Sequence, residues 1–193
     1  MVQKICINKS GVTQFPAYLQ HAHDLCFLNH DVLVELLRSG EESKVFFHRI
    51  PLIDDNDREL LKEADDIFSW LETTNRVEER TELLKRVVFP ALLSDFLHFT
   101  YEALECSRKG KLTVSYALIR KPLQENLFLF EVIATAKYDF ATWLVENPLK
   151  LRARHAGGFD AHIKRIGTVL SLLEQKDKFD AEYVAQLRYS KAK

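Results

Sequence analysis

The sequence predicts an all-α fold, and three observations carry that expectation. Glycine is scarce, six in 193 residues, against an average usage of about 7%, which disfavours glycine-rich β-sandwiches and phosphate-cradling loops. Hydrophobic residues make up 47% of the chain and recur at helical period through most of it. The stretches between these periodic segments are modest in length, so helix–loop–helix organisation into a bundle is expected. At 193 residues the chain fits a single domain over 1–193, long enough to bury a core without disulfide or metal staples. Disordered, collagen-like and disulfide-scaffold classes are excluded by composition.

From the N-terminus, residues 2–7 alternate weakly and read as a short strand or arm. The first strong helix spans about 16–39, with Pro16 in its first turn and Gly40 placed to end it. Its apolar stripe is Leu19, Ala22, Leu25, Cys26, Val32, Leu33, Leu36 and Leu37. Residues 45–50 are ambiguous between a short strand and a helical turn. A second helix is expected over about 57–72, opened by Asp57 and Glu59 at the positive end of its dipole. The third runs from about Val77 to Ser107 and is closed by Gly110, with Pro90 inside it bending or interrupting it. A fourth covers about 112–136, around Pro122. Shorter helices are expected over about 138–145, 159–173 and 180–189, and a minor boundary at 148–158, where Pro148 and Gly157–Gly158 punctuate the chain. The chain stops on a polar tail without a clear helix stop, the expectation for part of a longer protein.

Lys+Arg total 27 and Asp+Glu 28, for a net charge of −1, so a global basic field for nucleic acid or anionic membrane is absent. The distribution is uneven. Residues 41–82 carry thirteen acids against six bases, whereas 150–165 carries five bases and one acid. Cys6, Cys26 and Cys106 form no Cys-x-x-Cys pair and are odd in number, which fits a reducing compartment with buried thiols. No apolar run approaches the roughly 20 residues of a membrane span. A cytoplasmic protein with no membrane attachment is expected.

The stretch 112–136 is apolar on more than one face, the signature of a central helix packed on all sides. Polar residues inside it are therefore informative. Arg120, Lys121, Glu125 and Asn126 are candidates for a polar pocket, joined by Tyr116. Lys121 and Glu125 are four apart and can meet, and Pro122 deprives the Leu118 carbonyl of its usual donor. The blander alternative is an ion-pair network that fixes helix register. The segment Arg108–Leu127, with Arg108-Lys109-Gly110-Lys111 and Arg120-Lys121-Pro122-Leu123-Gln124-Glu125-Asn126, resembles a segment of uncharacterised bacterial helical proteins. Those are distantly similar to the HEPN-like group tied to toxin–antitoxin and phage-defence systems. The resemblance covers about twenty residues and implies a helical bundle and a dimer. HEPN nucleases carry Arg, four to six residues, then His; here Arg152 to His155 is too short and Arg154 to His162 too long. The ribonuclease chemistry is therefore not implied.

His23, Cys26 and His30 share one edge of the first helix and are of metal-ligand type. Edge-of-core histidines paired with carboxylates are far commoner, so no metal and no cofactor is expected. Asp95 and His98 have half of a di-iron motif, but no second half exists in the chain. Nucleophile elbows, phosphate-binding loops and dinucleotide fingerprints are missing. The basic stretch Lys150, Arg152, Arg154 and His155, extended by Lys164 and Arg165, alternates charged and apolar residues and suits phosphate or an acidic partner surface. Interleaved aromatics are lacking, which disfavours single-stranded nucleic acid.

These observations favour a non-enzymatic interaction or regulatory module, working with a protein partner or a second copy of itself. The alternative is an RNA- or phosphate-processing enzyme with a basic, polar helical cleft. Convergence of Arg120, Lys121, Glu125 and His155 or His162 on a solvent-reachable cleft would favour the enzyme; a closed Lys121–Glu125 pair would make the cluster structural.

Overall fold

The computed structural model describes residues 16–174 and 176–189. The fold is all-α, with no strand among the described residues. The strand or arm expected at 2–7 lies outside the described residues, and 45–50 is turn and extended loop without strand pairing. No helix among the described residues is long and apolar enough to cross a membrane.

Helix α1, Ala17–Glu42, runs through Gly40 instead of stopping there. A Cβ at Gly40 would meet the Phe46 ring at 2.8 Å, so glycine allows that ring to pack against the helix. Lys44 ends the helix instead, with φ 58° in the left-handed region. The Lys44 and Val45 N–H groups donate to the Glu41 and Gly40 carbonyls at 3.0 and 2.9 Å, the pairing of a Schellman cap. Asn75 (φ 55°) and Gly110 (φ 72°) close two later helices in the same way. The face that α1 turns to the bundle carries His23 and His30, with Phe27, Leu33 and Leu37 half-buried. Six of the eight residues of the expected stripe are exposed, Val32 and Leu36 at 56% and 58%, and only Leu33 and Leu37 are half-buried. Because α1 packs chiefly on one other helix, one narrow face suffices and the remaining apolar residues are left in solvent. Cys26 is likewise exposed, not buried.

The helix expected over 57–72 is two helices, α2 (Asp55–Glu63) and α3 (Ile67–Thr73). Aspartates cap both: Asp54 accepts from the Asp57 N–H, and Asp66 from the Ser69 N–H, each at 2.8 Å. An aspartate cap satisfies orphan donors and favours restarting the helix at Asp66 over continuing through it. Asp57 then anchors the pair to Arg76, at the N-terminus of the next helix. Its carboxylate accepts from the Ile53 N–H at 2.9 Å, the Trp70 Nε1–H at 3.0 Å and the Arg76 guanidinium, which also lies 4.6 Å from the Trp70 ring centre. Burial pushes the Asp57 carboxyl up, but these donors together outweigh it and hold the group below its ordinary 3.8.

Helix α4, Val77–Arg108, continues through Pro90 without interruption. Beyond Gly110 the chain folds back on α4 as α5, Leu112–Lys121, tied there by the Ser115 hydroxyl to the Ala103 carbonyl at 2.8 Å. The central helix expected over 112–136 is not one helix. It divides into α5, a π-helical turn at Pro122–Asn126 and α6, Leu127–Thr135. Pro122 has no N–H to offer the α ladder, and the Leu127 N–H reaches back to the Pro122 carbonyl in an i→i−5 bond. Nor is α5 central. It packs mainly on α4 and has no buried residue, and Tyr116 is 73% exposed. The central position belongs to α6, which buries Phe128, Glu131 and Val132.

Helix α7, Lys137–Glu146, leads into two 3₁₀ turns, Pro148–Leu151 and Ala153–His155. Helix α8, Gly158–Ser171, and helix α9, Ala181–Tyr189, pack on each other and complete the described chain. The core cluster of Phe128, Val132, Phe140, Leu151 and Ala153 gathers α6, α7 and the 3₁₀ segment. Leu151 and Ala153 are buried while Lys150, Arg152 and Arg154 are exposed. The alternation visible in the sequence is thus the means by which two apolar pins hold three cations outward.

Candidate functional site

A solvent-reachable cleft of about 1200 Å³ opens between the π turn, the 3₁₀ segment and α8–α9. Its wall includes Arg120, Glu125, Arg152, Arg154, Phe159 and His162, with Gln124 and Tyr189 at the π-turn side. Of the four polar-pocket candidates, Arg120 and Glu125 reach it; of the basic candidates, Arg152 and Arg154 do. The Arg120 Nε–H donates to the Gln124 amide oxygen at 3.0 Å. No ion pair engages Arg120, Arg152 or Arg154 among the described residues.

The other candidates go elsewhere. Lys121 does not pair with Glu125: its ammonium donates to Asp95 on α4 at 2.8 Å and sits 4.3 Å from the Phe99 ring centre. Asn126, 1% exposed, donates to the other Asp95 oxygen at 2.9 Å and to the Leu92 carbonyl at 3.3 Å. Burial raises the Asp95 carboxyl, but the bonds from Lys121 and Asn126, with His98 nearby, outweigh it and hold the group below its ordinary value. The π turn explains the division, since its residues face α4 on one side and the cleft on the other. Glu125 accepts instead from the Ala153 N–H at 3.0 Å, fastening the 3₁₀ segment to the π turn. Lys150, His155 and Arg165 line a smaller cavity of about 230 Å³ beside Phe128 and Trp143, and Lys164 is exposed outside both. His30 lies 3.3 Å from Asp31 and packs on Tyr101, His23 packs edge-on against Phe27, and no group of three metal-ligating side chains assembles among the described residues.

Beneath the cleft lies an ion cluster centred on Glu131, which is 8% exposed. It accepts from the Arg165 Nε–H at 3.1 Å and from Arg188, so one carboxylate joins α6, α8 and α9. Arg188 also donates to the Leu123 carbonyl at 2.8 Å and to the Tyr189 hydroxyl at 2.6 Å. Arg165 stacks 4.4 Å from the Phe128 ring centre and donates to His162 Nδ1. Arginine has no lone pair to offer, so Nδ1 must be the acceptor and the ring proton of the neutral imidazole sits on Nε2. Burial, then the positive charges of Arg165 and Arg188, push His162 down to about 4 against the Ala153 bond. Tyr189 stacks on His162 with centroids 3.7 Å apart. Burial is the main reason its phenol is pushed up to about 12, Glu131 and Glu125 adding to the rise while Arg188 and Arg165 oppose it.

The His162 environment has a measurable consequence. Its folded pKa lies below the ordinary 6.5, so the neutral ring stabilises the fold above pH 6.5 and that stability drains as pH falls towards 4. Between pH 7 and pH 5 the expected loss is about 2 kcal/mol. Urea unfolding across that range should show it, and His162→Gln should flatten the slope; an unchanged slope in the variant would remove His162 as its source.

Gln124, Phe159 and Tyr189 are not among the site residues that the sequence suggested. Phe159 comes directly after the Gly157–Gly158 pair and carried a signal in that position. Tyr189 carried none, because its place depends on α9 folding against residues some sixty positions earlier. Comparison with protein-family models, with curated proteins and with solved structures found no match for the chain.

Proposed function

We propose that the protein is a regulatory binding module whose cleft takes a phosphate-bearing ligand. The observation that carries this reading is the convergence of Arg120, Arg152 and Arg154 on one cleft, with no carboxylate paired to any of them among the described residues. Guanidinium groups offer planar, paired donors matched to phosphate oxygens. Three in one concavity, opposed by Glu125 alone among the acids lining it, favour a multiply charged anion. Gly158 at the start of α8 also lines the cleft, with the Asp160 carboxylate in the same turn offsetting the positive end of that helix.

Binding is favoured over catalysis by the state of the other lining groups. A general acid or base needs a free nitrogen or oxygen and a pKa near the working pH. His162 has Nδ1 taken by Arg165 and is held neutral by burial, and the Tyr189 phenol is held protonated. The departure from the Arg–His spacing of HEPN nucleases points the same way.

Calorimetric titration with inorganic pyrophosphate tests the reading. The wild type is expected to bind with an affinity that weakens as salt rises, and Arg152→Ala/Arg154→Ala to lose about 100-fold or more. Because both side chains are exposed, the double variant should unfold like the wild type. Equal affinity in the two proteins would refute the assignment.

A further inference from the structure

The arginines account for only part of the cleft. At about 1200 Å³ it has room for an occupant with a body beyond its phosphates. Glu125 constrains that body. Its carboxylate is an acceptor only, and it lines the same cleft as three arginines. The bond it accepts from the Ala153 N–H at 3.0 Å leaves acceptor capacity on both oxygens. A simple polyanion would face this charge unfavourably. A ligand that carries both N–H donors and phosphates satisfies both kinds of group in the wall.

The remaining polar groups are already committed and offer little selectivity. Gln124 accepts from Arg120 with its oxygen and donates to the Arg188 carbonyl at 2.8 Å with its nitrogen. His162 Nδ1 is taken by Arg165, and Tyr189 gives one face to His162. Phe159 is different. It lines the cleft and is 38% exposed, with no ring partner among the described residues, which suits a flat apolar surface such as a nucleobase.

Building on the phosphate-binding reading, we propose that the cleft is a guanine nucleotide site: phosphates on Arg120, Arg152 and Arg154, base against Phe159, and the N1–H and N2–H edge on Glu125. Among the common bases, guanine alone sets two adjacent N–H donors towards one carboxylate. Adenine and cytosine present an amino group beside a ring acceptor, and uracil presents one N–H between two carbonyls that a carboxylate repels. A buried or partly buried acceptor discriminates strongly against partners that cannot donate to it.

The test is calorimetric titration of the full chain with GDP, ADP, UDP and inorganic pyrophosphate. GDP is expected to bind about tenfold or more tightly than ADP, UDP and pyrophosphate. Glu125→Gln should erase that preference and, by removing the negative charge from the cleft, raise pyrophosphate affinity. Phe159→Ala should weaken GDP with little effect on pyrophosphate. If pyrophosphate binds through Arg152 and Arg154 but GDP binds no tighter, or if the GDP preference survives Glu125→Gln, the guanine assignment falls and the phosphate cleft stands. If none of the four compounds binds, both fall.

Discussion

Glu131→Ala is expected to destabilise the protein by about 4 kcal/mol, the usual scale for removing one partner of a buried ion pair. The carboxylate sits 8% exposed between Arg165 and Arg188. Without it, two guanidiniums stay under α6 with no counter-charge, and desolvation is no longer offset. For a chain of this length such a loss corresponds to a fall in melting temperature of about 10 °C or more. Glu131→Gln keeps the shape and one acceptor oxygen, so its cost should lie between the wild type and alanine. A Glu131→Ala protein as stable as the wild type would mean that the arginines find solvent easily and that α8 and α9 are not held by this cluster.

Phe128→Ala should cost about as much, roughly 3–5 kcal/mol, by a different route. The ring is 1% exposed and touches the core on one side while the Arg165 guanidinium stacks on its other face. Truncation leaves a cavity and removes that stack. Phe128→Leu preserves most of the apolar volume and isolates the lost cation–π contact, about 1–2 kcal/mol when desolvated. Because Phe128 and Glu131 share Arg165, the double alanine variant is expected to cost less than the sum of the two. Chemical denaturation of the four proteins measures the coupling, and strict additivity would show that Arg165 does not link them.

The helical class and most helix positions were legible in the sequence, because 3.6-residue periodicity, proline and glycine act locally. Much of what failed involved a partner far along the chain. Lys121 and Glu125 satisfy the i, i+4 rule, yet Lys121 finds Asp95 twenty-six positions back, and no local rule ranks those choices. The apolar stripes of 112–121 and of α1 were real, but periodicity does not tell how many neighbours a helix acquires. The break at Asp66 was present as an aspartate cap signal and was outweighed by the apolar run around it. For the cleft, the basic alternation at Lys150, Arg152 and Arg154 was readable. Glu125 was readable as a polar residue in an apolar stretch, but its meeting with Phe159 and Tyr189 was not, since these come together only after α8 and α9 fold back.

The π turn at Pro122–Asn126 has a further implication as a phase shifter. An α-helix advances by about 100° per residue, so the extra residue in a wide turn rotates everything before it against everything after it. Deleting one residue within 122–126 would restore regular winding and turn α5 by about that angle relative to α6. Ser115 would then leave the Ala103 carbonyl and Arg120 would swing out of the cleft. A single inserted position thereby lets one helical stretch serve two masters, the α4 surface before it and the cleft beside it.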